Sequence, residues 1–192
     1  MYESRQERLQ TLAEYFGEGL AKGELCVFVT PDTSKKVIKD FRSTGLNIAK
    51  AVQNGDLRIF EMLKTYLPHG KFVADFMLLN VANFIMEAKA KGFTGLRTAG
   101  EMAWLYDRPE FVADATDYES QVNDLNTDSP EFTGLCLYPV HKGSSAIIDG
   151  ALKTHPFYMY DGIRQTNPFN GRGLPADKQA SGSFSKLLTR VD

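Results

Sequence analysis

Short, β-rich apolar runs alternate along this chain with longer stretches of helical periodicity, and that alternation limits the fold more than any other feature. "LCVFVT" (Leu25 to Thr30), "LRIFEM" (Leu57 to Met62), the stretch that opens "GLRTAGE" at Gly95, and "FTGLCLYPV" from Phe132 read as strands. Between them the spacing predicts helices. The first covers Arg5 to Ala21, with Leu9, Leu12, Ala13, Phe16 and Leu20 on one face. A second is capped by Thr33 or Ser34, runs to about Phe41 and stops at Gly45. Further helices are expected over Ile48 to Gln53, Ala74 to Lys91, about Pro109 to Leu125, and Ala146 to Lys153, whereas "TYLPHGKF" reads as a loop. "FYMYDGIRQTN" predicts a hairpin turning at Asp161-Gly162.

Strands alternating with helices imply βαβ units, hence a three-layer α/β fold: a mostly parallel sheet flanked by helices, with the C-terminal hairpin as an antiparallel edge. With 192 residues and 43% hydrophobic content, the chain has enough material for one core. One domain over residues 1–169 is expected. Residues 170–192, rich in Gly, Ser and polar side chains, read as a flexible linker or tail.

Charge and motifs exclude several function classes. Lys and Arg number 22 against 24 Asp and Glu, a net charge of −2, so no basic field is present to hold nucleic acid or an anionic membrane. No apolar run approaches the roughly 20 residues of a membrane span, and "MYESRQERLQ" lacks a signal-peptide core, so a cytoplasmic location is expected. Cys26 and Cys136 sit in apolar runs and read as reduced core residues, and His69, His141 and His155 are scattered, so no metal site is expected. Phosphate-binding loops are missing: Gly70-Lys71 continues into Phe72, and Thr65 stands where the first glycine of a Walker loop belongs. Neither a dinucleotide-binding glycine motif nor a Gly-x-Ser-x-Gly elbow occurs.

Polar and aromatic residues cluster near the expected strand ends. Arg97 and Glu101 fall in one strand, where two readings stand: a structural ion pair, or polar anchors at the C-terminal end of a parallel strand, the place where α/β sheets bind ligands. Either way the two are expected to share one polar network, because a lone buried charge is costly. Trp104, the sole tryptophan, is either core or the wall of a small-molecule cavity. Tyr66 and Tyr138 follow strand ends on the same side. His155 reads as a helix-end cap or a supporting polar group, and Asn167 as the end of the last strand or a second such group. Gly95 and Gly100 are expected to permit a close approach.

Taken in order, "LAEYFGEGLAKGELCVFVTPD", "GDLRIFEMLKTYLPHGKF", "GFTGLRTAGEMAW" and "THPFYMYDGIRQTNPF" resemble the MEDS sensory domain, named for methanogens, methylotrophs and the dichloromethane-responsive regulator. The likeness covers about Met1 to Phe169. It implies a relative of RecA-like ATPases without the phosphate loop: a sensor, not an enzyme, that binds a small hydrocarbon-derived, halogenated or methylated molecule without a cofactor. It further implies coupling to a histidine kinase or a DNA-binding output domain. Members of that family usually begin with one more strand ahead of "YES"; either the sheet lacks it here, or a cut has opened an edge through which a homodimer could form. Two rivals remain: a residual nucleotide-binding enzyme with Glu101 as base, and a pure dimerisation module. ATP is expected neither to bind tightly nor to be hydrolysed.

Overall fold

The computed structural model describes residues 1–129, 131–160 and 163–170. Four strands, β1 (Leu25–Thr30), β2 (Leu57–Glu61), β3 (Leu96–Glu101) and β4 (Phe132–Leu137), form one sheet in the order β2-β1-β3-β4, every pair parallel. A single parallel bridge between Tyr2 and Pro139 lies beyond β4. β1 is buried throughout, as its unbroken apolar run requires of a central strand, while β2 ends exposed at the edge.

Helices cover both faces. On one side α1 (Arg5–Lys22), α2 (Ser34–Ser43) and α3 (Ala49–Asn54) pack Leu12, Phe16, Val37, Phe41 and Ile48 against Cys26 and Phe28 of β1. Ser4 and Thr33 cap the first two helices by accepting from the backbone N–H groups of Glu7 and Lys36, and Gly23 ends α1 in the left-handed conformation. On the other side lie α5 (Ala74–Ala90), α6 (Val112–Asp128) and α7 (Ser145–Thr154), over Leu25, Val27, Leu96 and Phe132. This is the three-layer arrangement read from the sequence.

Three expectations need correction. "TYLPHGKF" is not a plain loop: α4 (Met62–Tyr66) follows β2 directly, with Thr65 Oγ1 donating to Glu61 O, and a 3-10 turn over Pro68–Gly70 comes next. The fourth strand stops at Leu137, short of Pro139, which has no N–H to donate, and Val140–Lys142 turns as a 3-10 helix. The hairpin strands β5 (Phe157–Tyr160) and β6 (Ile163–Thr166) do pair antiparallel, but as a separate two-stranded sheet and not as an edge of the main one. Its turn at Asp161-Gly162, and the linker reading of 171–192, lie outside the described residues.

Candidate functional site

The carboxyl end of β3 carries Glu101, 3% exposed, which is clamped from two sides. Arg8 of α1 donates through Nε to Glu101 Oε2 at 3.0 Å and through Nη2 to Oε1, and Thr30 at the end of β1 donates to Oε1 at 2.6 Å. Burial works against the Arg8 charge; the hydrogen bonds and charge of Glu101 outweigh it and raise the guanidinium pKa. The network continues to the surface. Arg8 lies 3.5 Å from Asp32, Lys36 reaches Asp32 at 2.8 Å and Asp40 at 3.0 Å, and Arg5 reaches Asp40 at 2.7 Å. With both oxygens occupied, Glu101 is built as a structural anchor more than as a free base.

Arg97 does not join it. Side chains alternate along a strand, so Arg97 and Glu101 share a face but stand about 13 Å apart along β3, at a rise of about 3.3 Å per residue. Arg97 is at the amino end, 2% exposed, paired with Glu24 through Nε, 3.3 Å from Glu18 Oε2, and donating to Tyr15 O at 3.2 Å. Its guanidinium lies 4.7 Å from the Tyr15 ring centre. Among the described residues the ion pairs of Arg97 and Glu101 thus go to different partners and not to the shared network expected, because α1 runs antiparallel to β3 and meets each residue with a different part of its length. Gly19 of α1 makes the fit possible: a Cβ there would sit 2.6 Å from Arg97 Cδ.

Across the sheet, the aromatic residues gather. Trp104 follows β3 in a 3-10 turn over Ala103–Tyr106, with Tyr66 stacked on it at 5.5 Å and Phe72 at 5.4 Å between ring centres, and Phe111 tilted at 6.4 Å. It is 1% exposed, a buried position. Its indole Nε1, however, has no hydrogen-bond partner among the described residues. A buried donor without an acceptor is costly and uncommon. The close approach permitted by Gly100 is made by the Tyr66 hydroxyl, and that permitted by Gly95 by the Glu131 carbonyl, 2.0 and 2.4 Å from where a Cβ would stand. Burial raises the Tyr66 phenol well above its ordinary pKa.

A second polar group lies beside this stack, centred on Glu119, which the sequence reading passed over. Glu119 of α6 is 4% exposed and accepts from the Tyr138 hydroxyl through Oε1 and from Thr154 Oγ1 through Oε2 at 3.4 Å. His155 stands edge-on to Tyr138, with Nδ1 2.8 Å from Ala151 O, which is the helix-end capping role. Cys136 completes the group: ligand atoms of Glu119, Cys136 and His155 lie within 4.8 Å of one another. Asn167 is a tie for the hairpin, its Nδ2 donating to Leu152 O at 2.5 Å and His155 O at 2.7 Å while Oδ1 accepts from Phe169 N. Of the residues singled out from sequence, the fold thus assembles Tyr66 with Trp104, and Tyr138 with His155 and Asn167. A signal for Glu119 did exist, since it falls on the apolar face with Ala115, Tyr118 and Val122. Arg8 likewise stands four residues before Leu12 and eight before Phe16.

Residues 1–156 match the family model described as MEDS, the methanogen/methylotroph, DcmR sensory domain. The transcriptional repressor DcmR of Methylorubrum extorquens (strain DSM 6343 / CIP 106787 / DM4) is 28% identical over 149 residues, a stretch covering 77% of this chain and 53% of the repressor. The chain spans about half the length of that relative. Among the described residues no helix is long and apolar enough to cross a membrane.

Proposed function

Because the chain belongs to the MEDS family of sensory domains, we propose that it receives a small, weakly polar molecule at the Tyr66–Trp104 cluster and passes the event to a transcriptional output. One observation carries the reading: the Trp104 N–H is buried among aromatic faces with no acceptor among the described residues. A neutral guest with one acceptor atom and a small apolar body, such as a methylated or halogenated compound, would satisfy that donor and keep the aromatic contacts. Trp104 is enclosed, so entry requires the segment around Tyr66 and Phe72 to open. A guest that prefers the opened arrangement shifts the population toward it. The repressor relative supports a transcriptional output. Nucleotide chemistry is disfavoured, since Glu101 is held by Arg8 and Thr30 and no phosphate loop is present.

The sole tryptophan makes the test direct. Titration with a panel of halogenated and methylated small molecules is expected to give saturable quenching or a spectral shift of Trp104 emission. Tyr66→Phe and Phe72→Leu should weaken that response. A panel that leaves the emission unchanged, or a response indifferent to both substitutions, overturns the reading.

A further inference from the structure

We propose that Glu119, Cys136 and His155 form a binding site for a thiophilic divalent cation of the zinc type. The three come from α6, from β4 and from the residue after α7, so no spacing in the sequence announces them; the fold alone brings their donor atoms within 4.8 Å. Carboxylate oxygen, thiolate sulfur and imidazole nitrogen are the donors such an ion takes, at about 2.0–2.3 Å, which sets ligand atoms about 3.5 Å apart. The widest pair therefore needs to close by up to about 1.3 Å, and the imidazole, whose Nδ1 faces Ala151 O at 2.8 Å, must turn from that cap to offer a lone pair to the ion.

Charge and support agree with the assignment. Glu119 is buried with hydroxyl partners and with no arginine or lysine in ion-pair contact among the described residues; His155 Nδ1, at 4.0 Å, is its nearest basic atom. A buried carboxylate calls for a cation. A divalent ion balances one carboxylate and one thiolate with neutral imidazole. The Cys136 thiol proton leaves to solvent as the sulfur–metal bond forms. Tyr138 and Thr154 already hold Glu119 from outside the trio, as the partners of metal ligands commonly do. The His155 side chain is 25% exposed, which gives the ion a way in. Three protein donors leave a fourth coordination position open. This site is independent of the guest proposed for Trp104.

The experiment uses the whole chain, stripped with a chelator and titrated with cobalt(II), whose spectrum reports ligand type and geometry. Expected are a thiolate-to-cobalt charge-transfer band, strong tetrahedral visible bands, and displacement by one equivalent of zinc. Cys136→Ser should abolish the charge-transfer band, while Cys26→Ser, whose sulfur lies under α1, keeps it. Glu119→Gln and His155→Ala should each weaken binding at least tenfold, with circular dichroism confirming that the fold persists. Should Cys136→Ser fail to fold, these two variants decide the matter. A wild-type chain that shows no charge-transfer band, a band that survives Cys136→Ser, or affinities unchanged in the other two variants would overturn the assignment.

Discussion

Gly100→Ala is the sharpest test of how the end of β3 is packed. Alanine ordinarily gains about 0.5–1 kcal/mol over glycine inside a regular element by restricting the unfolded chain. Here its methyl would stand 2.0 Å from the Tyr66 hydroxyl oxygen and 3.3 Å from Cζ. Ordinary contact requires about 3.4 Å or more, so the hydroxyl must retreat by about 1.4 Å, and the ring that carries it is stacked on Trp104. A displacement of this size in a stacked ring belongs in the upper part of the range for overpacking, about 2–3 kcal/mol, which leaves a net loss of about 1–2.5 kcal/mol after the gain above. At about 2–4 °C per kcal/mol for a chain of this size, Tm should fall by about 2–10 °C. Tyr66→Phe removes the clashing atom, and Gly100→Ala in that background should be neutral or stabilising. Urea unfolding followed by Trp104 emission and far-ultraviolet circular dichroism gives the four corners of the cycle. Gly100→Ala at wild-type stability, or an equal loss with and without the Tyr66 hydroxyl, would refute the reasoning.

Two further outcomes follow from the charged groups. Arg97→Ala should cost about 3–5 kcal/mol in chemical denaturation, because it breaks a buried pair with Glu24, whereas Arg97→Met, which keeps the stem under Tyr15, should cost less. Hydrogen bonds from Arg58 and then Lys91 pull the Glu87 carboxyl from 4.5 to about 2. A folded-state value below the unfolded one means that this stabilisation is present above about pH 4.5 and drains away as the pH falls toward 2; in Glu87→Gln the urea midpoint should depend less on pH across that window.

The sheet was legible because β1, β2 and β4 are largely apolar runs bounded by glycine, proline and polar turns, and the long helices because their apolar faces recur at three and four residues. What sequence could not supply was which end of each strand meets which helix. Arg97 and Glu101 look like partners at a separation of four, as they would be on a helix; on a strand the same separation sends them to opposite ends. Their true partners, Glu24 and Glu18 for one, Arg8 and Thr30 for the other, depend on the antiparallel placement of α1 across β3. The Glu119, Cys136 and His155 trio escaped for the same reason, since it needs α6, β4 and the end of α7 to converge.

The same geometry separates the two faces of the domain and joins them at one place. The Arg8 and Glu101 clamp lies on the α1 side, and the Trp104 stack with Glu119 lies on the other side. Gly100 of β3, the residue before Glu101, is where the Tyr66 hydroxyl rests against the strand. Any movement of Tyr66 therefore relieves or presses the backbone one residue from the clamp. Close-packed interiors do not absorb such a shift locally. The Arg8 and Glu101 pair, with its extension through Asp32 to Lys36 and the start of α2, is the nearest element that can register it on the opposite face.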